Sequence, residues 1–127
     1  MPKKKKESEL LVGAVVEGMQ EKKGHEIVVM DFNKIDNSFC DYFVICHGSS
    51  RVQVEAIAES IEEFVYKKLN IKNPRKEGTQ NAEWILLDYL DVIVHVFLQE
   101  ARNFYKIESL WADAEIKYFK NEKMLKA

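Results

Sequence analysis

The residues best suited to chemistry are Asp88 and Asp91, which flank a turn signal, with His95 four positions further on. Two carboxylates beside an imidazole could hold a divalent cation, which is the basis of a metal-dependent nucleotidyltransferase or phosphohydrolase reading. Aspartate, however, favours turns and strand ends for its own hydrogen bonds, and no third acid or nucleophile accompanies the pair. Gly48-Ser49-Ser50 could cradle a phosphate, but the longer Gly-x-x-x-x-Gly-Lys-Ser/Thr pattern of a P-loop is absent, so the tripeptide reads as a helix cap. His25 and His47 have no partners at metal-ligand spacing. Cys40 and Cys46 fit neither a zinc site nor a disulfide framework, and as nucleophiles they would need a base that the sequence does not supply. The chain therefore reads as a non-enzyme with no cofactor, no metal and the reduced cysteines of a cytoplasmic protein.

The elements that must position these residues follow from hydrophobic spacing. Val12, Val15, Val16 and Met19 recur at helical intervals, which predicts an amphipathic helix over residues 8–23 with Ser8 as N-cap. Ile27–Met30 and Tyr42–Cys46 read as strands on either side of a polar connection from Asp31 to Ser38. Ser50 with Gln53 forms a capping-box signature for a helix whose stripe runs Val54, Ile57, Ala58, Ile61, Val65, Leu69. Residues 70–81 read as an exposed loop with room for a short edge strand. Trp84–Asp88 and Val92–Leu98 read as a hairpin, and Phe104, Ile107, Leu110 and Trp111 as one side of a final helix. The order α-β-β-α-β-β-α predicts an α/β single domain, a mixed sheet flanked by helices, with a parallel crossover in the passage from Cys46 to Trp84. The expected organisation is a flexible basic N-terminus at 1–7, a domain at 8–115, and a charged, fraying tail at 116–127.

Strand parity sorts the hairpin. With a two-residue loop, Trp84, Leu86 and Asp88 share a face with either Asp91, Ile93 and His95 or Ile93, His95 and Phe97, according to which two residues turn; a three-residue loop would scramble this sorting. Ile85, Leu87, Val92, Val94 and Val96 fall on the opposite, wholly apolar face and read as core. A mixed face centred on a tryptophan suits a protein-binding patch. The competing reading makes Trp84 ordinary core beneath the last helix.

Composition bounds the partners. The 127 residues suffice for one core, and 46% apolar with 31% charged residues is the balance of a soluble globular domain. The run from Val92 to Leu98 is far short of the roughly 20 residues of a membrane helix, and Glu7, Glu9 and Glu17 spoil any likeness to a signal peptide. The net charge is −2, but Lys3 to Lys6 hold four of the positive charges, leaving the remainder at −6. An acidic body argues against tracking nucleic-acid phosphates and for a basic partner.

Cys40–Ser50 with Val52–Ala58, then Glu83–Phe97 (Glu-Trp, Asp-Tyr, Val-His-Val-Phe), then Glu100–Tyr105 with Leu110-Trp111, resemble in order and spacing the signature blocks of the ribosomal silencing factor, or Iojap, family. The resemblance implies a nucleotidyltransferase-like domain without the catalytic carboxylates. It further implies binding to ribosomal protein fourteen of the large ribosomal subunit, steric exclusion of the small subunit, and repression of translation when nutrients are scarce. It places the contact surface on Trp84, Leu86, Asp88, Tyr89, Asp91 and His95, with little direct nucleic-acid contact. The family usually carries glycine where this chain has Leu90. A homodimeric adaptor unrelated to ribosomes, pairing through the same mixed face, stays open beside the metal-dependent enzyme.

Overall fold

Strand β2 (Tyr42–Gly48) ends where Ser50 caps helix α2 (Arg51–Leu69), and this junction organises the molecule. The Ser50 hydroxyl accepts from the Gln53 N–H at 3.1 Å, as the capping signature predicts. The Gln53 side chain reaches outward instead of back to Ser50, accepting from Ser49 N–H and donating to the carbonyls of Lys22 and Lys23. That stitches the start of α2 to the end of α1 (Pro2–Glu21). A computed structural model describes residues 2–35, 40–111, 114–120 and 123–126, with side chains at 7–35, 40–111 and 114–117. The 36–38 part of the polar connection after β1 lies outside the described residues.

The remaining elements are β1 (His25–Asp31), β3 (Arg75–Glu77), β4 (Trp84–Asp88), β5 (Val92–Leu98), α3 (Gln99–Tyr105), a 3-10 turn over Ile107–Leu110, β6 (Glu115–Lys120) and β7 (Lys123–Lys126). One sheet takes the order β3-β4-β5-β2-β1-β6-β7, antiparallel everywhere except between β2 and β5. The crossover through α2 therefore delivers β5 beside β2, and β3 and β4, the two strands between α2 and β5 in the chain, lie beyond it. The hairpin turn makes β4 and β5 antiparallel neighbours, so only one can border β2. β5 takes that central place because Val92, Val94, Val96 and Phe97 leave it apolar on both faces.

Helices α1 and α2 cover one face. Val15, Met19, Val44, Val54, Ile57, Ile61, Leu87 and Val94 form the continuous core there. Burying side chains of this size is worth about 1.5–3 kcal/mol each against exposure, so this layer carries most of the fold's stability. The two helices approach closely at Gly18, where an added Cβ would sit 2.6 Å from the Ile61 Cα, and the Ser60 hydroxyl donates to the Gly18 carbonyl at 2.8 Å. A smaller apolar cluster of Val28, Met30, Phe32, Cys40, Phe43, Ile45 and Phe97 lies on the other face.

Three local expectations change. The helix begins at Pro2, so Ser8 lies within α1, buried, and its hydroxyl donates to the Asp41 carboxylate at 2.7 Å instead of capping the helix. The final helix splits because Lys106 adopts the left-handed conformation (φ 49°), so Ile107 is buried while Phe104 and Leu110 face outward. The segment expected to fray contributes β6, paired with β1 from Asp31–Glu115 to Ile27–Phe119, and β7.

Gly18→Ala is expected to lower unfolding stability by about 1–3 kcal/mol through overpacking at Ile61. Gly13→Ala, on the same helix with open space around its Cβ direction, is expected to raise it by about 0.5–1 kcal/mol. Urea unfolding of both variants checks the pair.

Candidate functional site

The site is built by the β4–β5 hairpin. Trp84 pairs with Phe97, Leu86 with His95 and Asp88 with Ile93, and the Tyr89 N–H donates to the Val92 carbonyl at 3.0 Å. The loop is thus two residues, Leu90 and Asp91. Trp84, Leu86, Asp88, Ile93, His95 and Phe97 consequently share one face, the second of the two registers that parity allowed. Ile85, Leu87, Val92, Val94 and Val96 pack in the helix-covered core, as expected. Of the six residues singled out in the sequence, Trp84, Leu86, Asp88 and His95 come together, and Asp91 stands in the loop at their end. Tyr89 does not join them: it packs against the helix-side core, its hydroxyl buried without a hydrogen-bond partner among the described residues.

Trp84 is half-buried and held from several sides. Its Nε1–H donates to His95 Nδ1 at 3.0 Å, and its rings lie 4.9 Å from Phe97 and 4.8 Å from Tyr105 of α3. The last helix therefore borders Trp84 without covering it. His95 is only 4% exposed, so it supports the indole from beneath and touches little solvent. Because Nδ1 accepts from the indole, the imidazole proton sits on Nε2, which is buried without a partner among the described residues. Burial lowers the His95 pKa to about 4. Protonating Nδ1 would also set two donors face to face, so the ring stays neutral near pH 7.

The loop end is acidic. Asp88 Oδ1 accepts from the Leu90 N–H at 2.8 Å, which closes the turn, and the Asp91 carbonyl accepts from the N–H groups of Asp41 and Tyr42 at 2.8 and 3.2 Å. The turn is thereby pinned to the start of β2. Burial, and then the charges of Asp41, Asp88 and Asp91, push the Cys40 thiol up to about 12, so it is not a nucleophile near neutral pH. Burial does the same to Cys46. Leu90 carries φ 76° with an Asp91 N–H to Tyr89 carbonyl bond of 3.0 Å, a γ-turn hydrogen bond in a conformation that a branched side chain resists. Its side chain is 79% exposed.

A second polar cluster holds α3 in place, and nothing in the spacing of its residues announced it. Arg102, only 7% exposed, donates through Nη1 to the Glu26 carbonyl (2.8 Å), to the His25 carbonyl (3.3 Å) and to His47 Nδ1 (3.0 Å). Its Nε and Nη2 reach Glu108 Oε2 at 3.1 and 2.7 Å. The two carbonyls are presented by an irregularity in the β1–β2 register between His25 and Val28, with Glu26 at φ 49°. Burial and the neighbouring guanidinium lower the His47 pKa. The one available signal was that Arg102 stands in the Glu-x-Arg-x-Phe-Tyr block.

A family model described as "Ribosomal silencing factor during starvation" matches residues 4–126. The chain belongs to the ribosomal silencing factor family. Its relatives include proteins named ribosomal silencing factor RsfS from Halalkalibacterium halodurans, 38% identical over 82% of this chain and 87% of that one, and from Bacillus subtilis, 40% identical over 76% and 80%. The maize chloroplast protein Iojap is 32% identical over 58% of this chain and 31% of its own length. A crystal structure of a Chromobacterium violaceum protein superposes with a TM-score of 0.75 at 32% identity, covering 82% of this chain and 85% of that one. A Bacillus halodurans structure gives 0.71 at 36% identity, with 81% and 94% covered. Within this family framework, no group of three or more His, Cys, Asp or Glu residues able to hold a metal ion occurs among the described residues. No helix there is long and apolar enough to cross a membrane.

Two outcomes test the site's physics. Since the folded-state pKa of His95 lies below its unfolded value, the stability it confers is present above pH 6.5 and is lost as the pH falls toward 4, by about 2 kcal/mol at pH 5. Urea titrations from pH 7 to 4.5 should show that extra loss in the wild type and not in His95→Gln. Leu90→Gly is expected to raise stability by about 1 kcal/mol in the same assay, the relieved strain exceeding glycine's entropic cost.

Proposed function

We propose that this ribosomal silencing factor binds ribosomal protein fourteen of the large subunit through the open face of its β4–β5 hairpin. There it keeps the small subunit from joining and so represses translation when nutrients are scarce. The observation that carries the reading is Trp84: an indole left half-open on a sheet face, fixed by His95, with an acidic turn at one end. Indoles of this kind serve as interface anchors, and a carboxylate rim suits the basic surface of a ribosomal protein.

In this reading Trp84, Leu86, Asp88 and Asp91 touch the partner. His95 positions Trp84, and Tyr89 steadies the turn from the helix side. Steric exclusion asks for affinity and bulk, with no bond made or broken. A typical interface covers about 800 Å² per partner, roughly a tenth of this chain's 8094 Å² surface. One face can therefore dock while the rest of the molecule stands in the way of the other subunit. A mouse relative, 30% identical over 58% of this chain, is named for mitochondrial assembly of the large ribosomal subunit, which supports the choice of subunit.

Sucrose-gradient co-sedimentation with isolated subunits tests the proposal. The wild-type chain should migrate with the large subunit alone and reduce subunit joining. Trp84→Ala, still folded by circular dichroism, should weaken binding by about 2 kcal/mol or more. A wild-type chain that stays at the top of the gradient at low and moderate salt would exclude the ribosomal reading.

A further inference from the structure

The aromatic surface does not stop at Trp84. Tyr105, 49% exposed, lies against the indole, and the Phe104 ring meets Tyr105 edge-on at 5.0 Å. Phe104 itself is 79% exposed. A phenylalanine so open gains nothing from the fold, and it cannot turn inward while Arg102, two residues earlier, fixes the inner side of α3. The Lys106 N–H donates to the Arg102 carbonyl at 3.0 Å and closes the helix immediately after Tyr105, so the pair is presented on a short, pinned element.

The two ends of this surface differ in chemistry. Strand β4 separates Trp84 from Asp88 by about 13 Å. Beyond Asp88 lies the acidic end, where Asp88 and Asp91 flank the turn and one cation, Arg75 of β3, is paired across from Asp88 in the sheet. At the other end, Phe104 and Tyr105 sit between Glu100 and Lys106, whose charges offset each other. We infer that the partner-binding surface continues from the hairpin across Tyr105 to Phe104 and takes a folded protein surface that is basic at one end and apolar at the other, which fixes a single docking orientation. The inference rests on the ribosomal reading and adds Phe104 as a second anchor. Complementary charge selects the occupant: acidic residues at the loop end favour a basic protein and repel the phosphates of RNA.

The two ends should separate kinetically, since screened charges govern encounter and buried apolar contacts govern residence. The test measures association and dissociation of the full chain on immobilised large subunits, and on purified ribosomal protein fourteen, at two salt concentrations. Phe104→Ala should dissociate roughly 10-fold faster or more, with an unchanged salt dependence. Asp88→Asn, which keeps an acceptor for the Leu90 N–H, should associate more slowly and with a shallower salt dependence. Val52→Ala, an exposed apolar residue on α2, should match wild type. If Phe104→Ala binds like wild type while Trp84→Ala fails, the extension is overturned and the hairpin site stands. If Phe104→Ala weakens binding to subunits while neither protein binds purified protein fourteen, the protein occupant is overturned in favour of RNA. If wild type binds neither target, the ribosomal reading itself falls.

Discussion

A two-residue turn between neighbouring antiparallel strands admits one pairing, and the pairing of Asp88 with Ile93 decides the character of both sheet faces. A slip by one residue would carry Leu87, Val94 and Val96 into solvent and press Asp88 and His95 against the helices. Such a slip is opposed by every side chain on both faces, which is why Leu90 can be held at a positive φ. The strain stays because the loop is fixed independently, by the Asp88 carboxylate above it and by the Asp91 carbonyl bound to the start of β2. The feature that orders the hairpin thus also places an exposed leucine and two carboxylates, Asp88 and Asp91, at its tip.

The sheet is covered unequally, and function follows from that inequality. Two long helices cover one face over β1, β2, β4 and β5, with Gly18 allowing them to meet at backbone distance. On the other face a short helix, a 3-10 turn and Trp111 cover the strands nearest β2, where Phe32, Phe43 and Trp111 pack edge to face. β4 is left partly open. An open strip on a strand whose other side is buried is rigid, so its side chains are preordered and binding costs little further ordering.

Buried polar groups do the positioning. Arg102 brings its charge out of water, a cost offset by Glu108, two backbone carbonyls and His47 around the same guanidinium. His95 brings an imidazole into an apolar layer, stays neutral there, and uses its one acceptor nitrogen to orient Trp84. In each case the polar residue lies beneath the surface and the residue it orients lies on it. A list of exposed residues alone would omit both supports.

The sequence by itself determined the element types, because alternating and 3.6-residue spacings are local properties of the chain. The hairpin strands, the Ser50 cap, the α2 stripe and the apolar sorting of Ile85, Leu87, Val92, Val94 and Val96 were all legible in this way, and the ordered blocks around Trp84 and His95 pointed to the family. What only the tertiary structure decided were the pairings between distant residues. Ser8 became a partner of Asp41 instead of a cap, since a hydroxyl in a helix takes whichever acceptor packing brings to it. Tyr89 fell on the helix side, because the turn uses Leu90 and Asp91. The final helix broke at Lys106 and turned Phe104 outward, a consequence of Arg102 reaching a bulge some 76 residues away in sequence. The C-terminal charges, which read as a tail, hid a strand that gains its hydrogen bonds from β1 and β7. Local spacing carries no record of such long-range contacts, because their free energy exists only once the partner elements are in place.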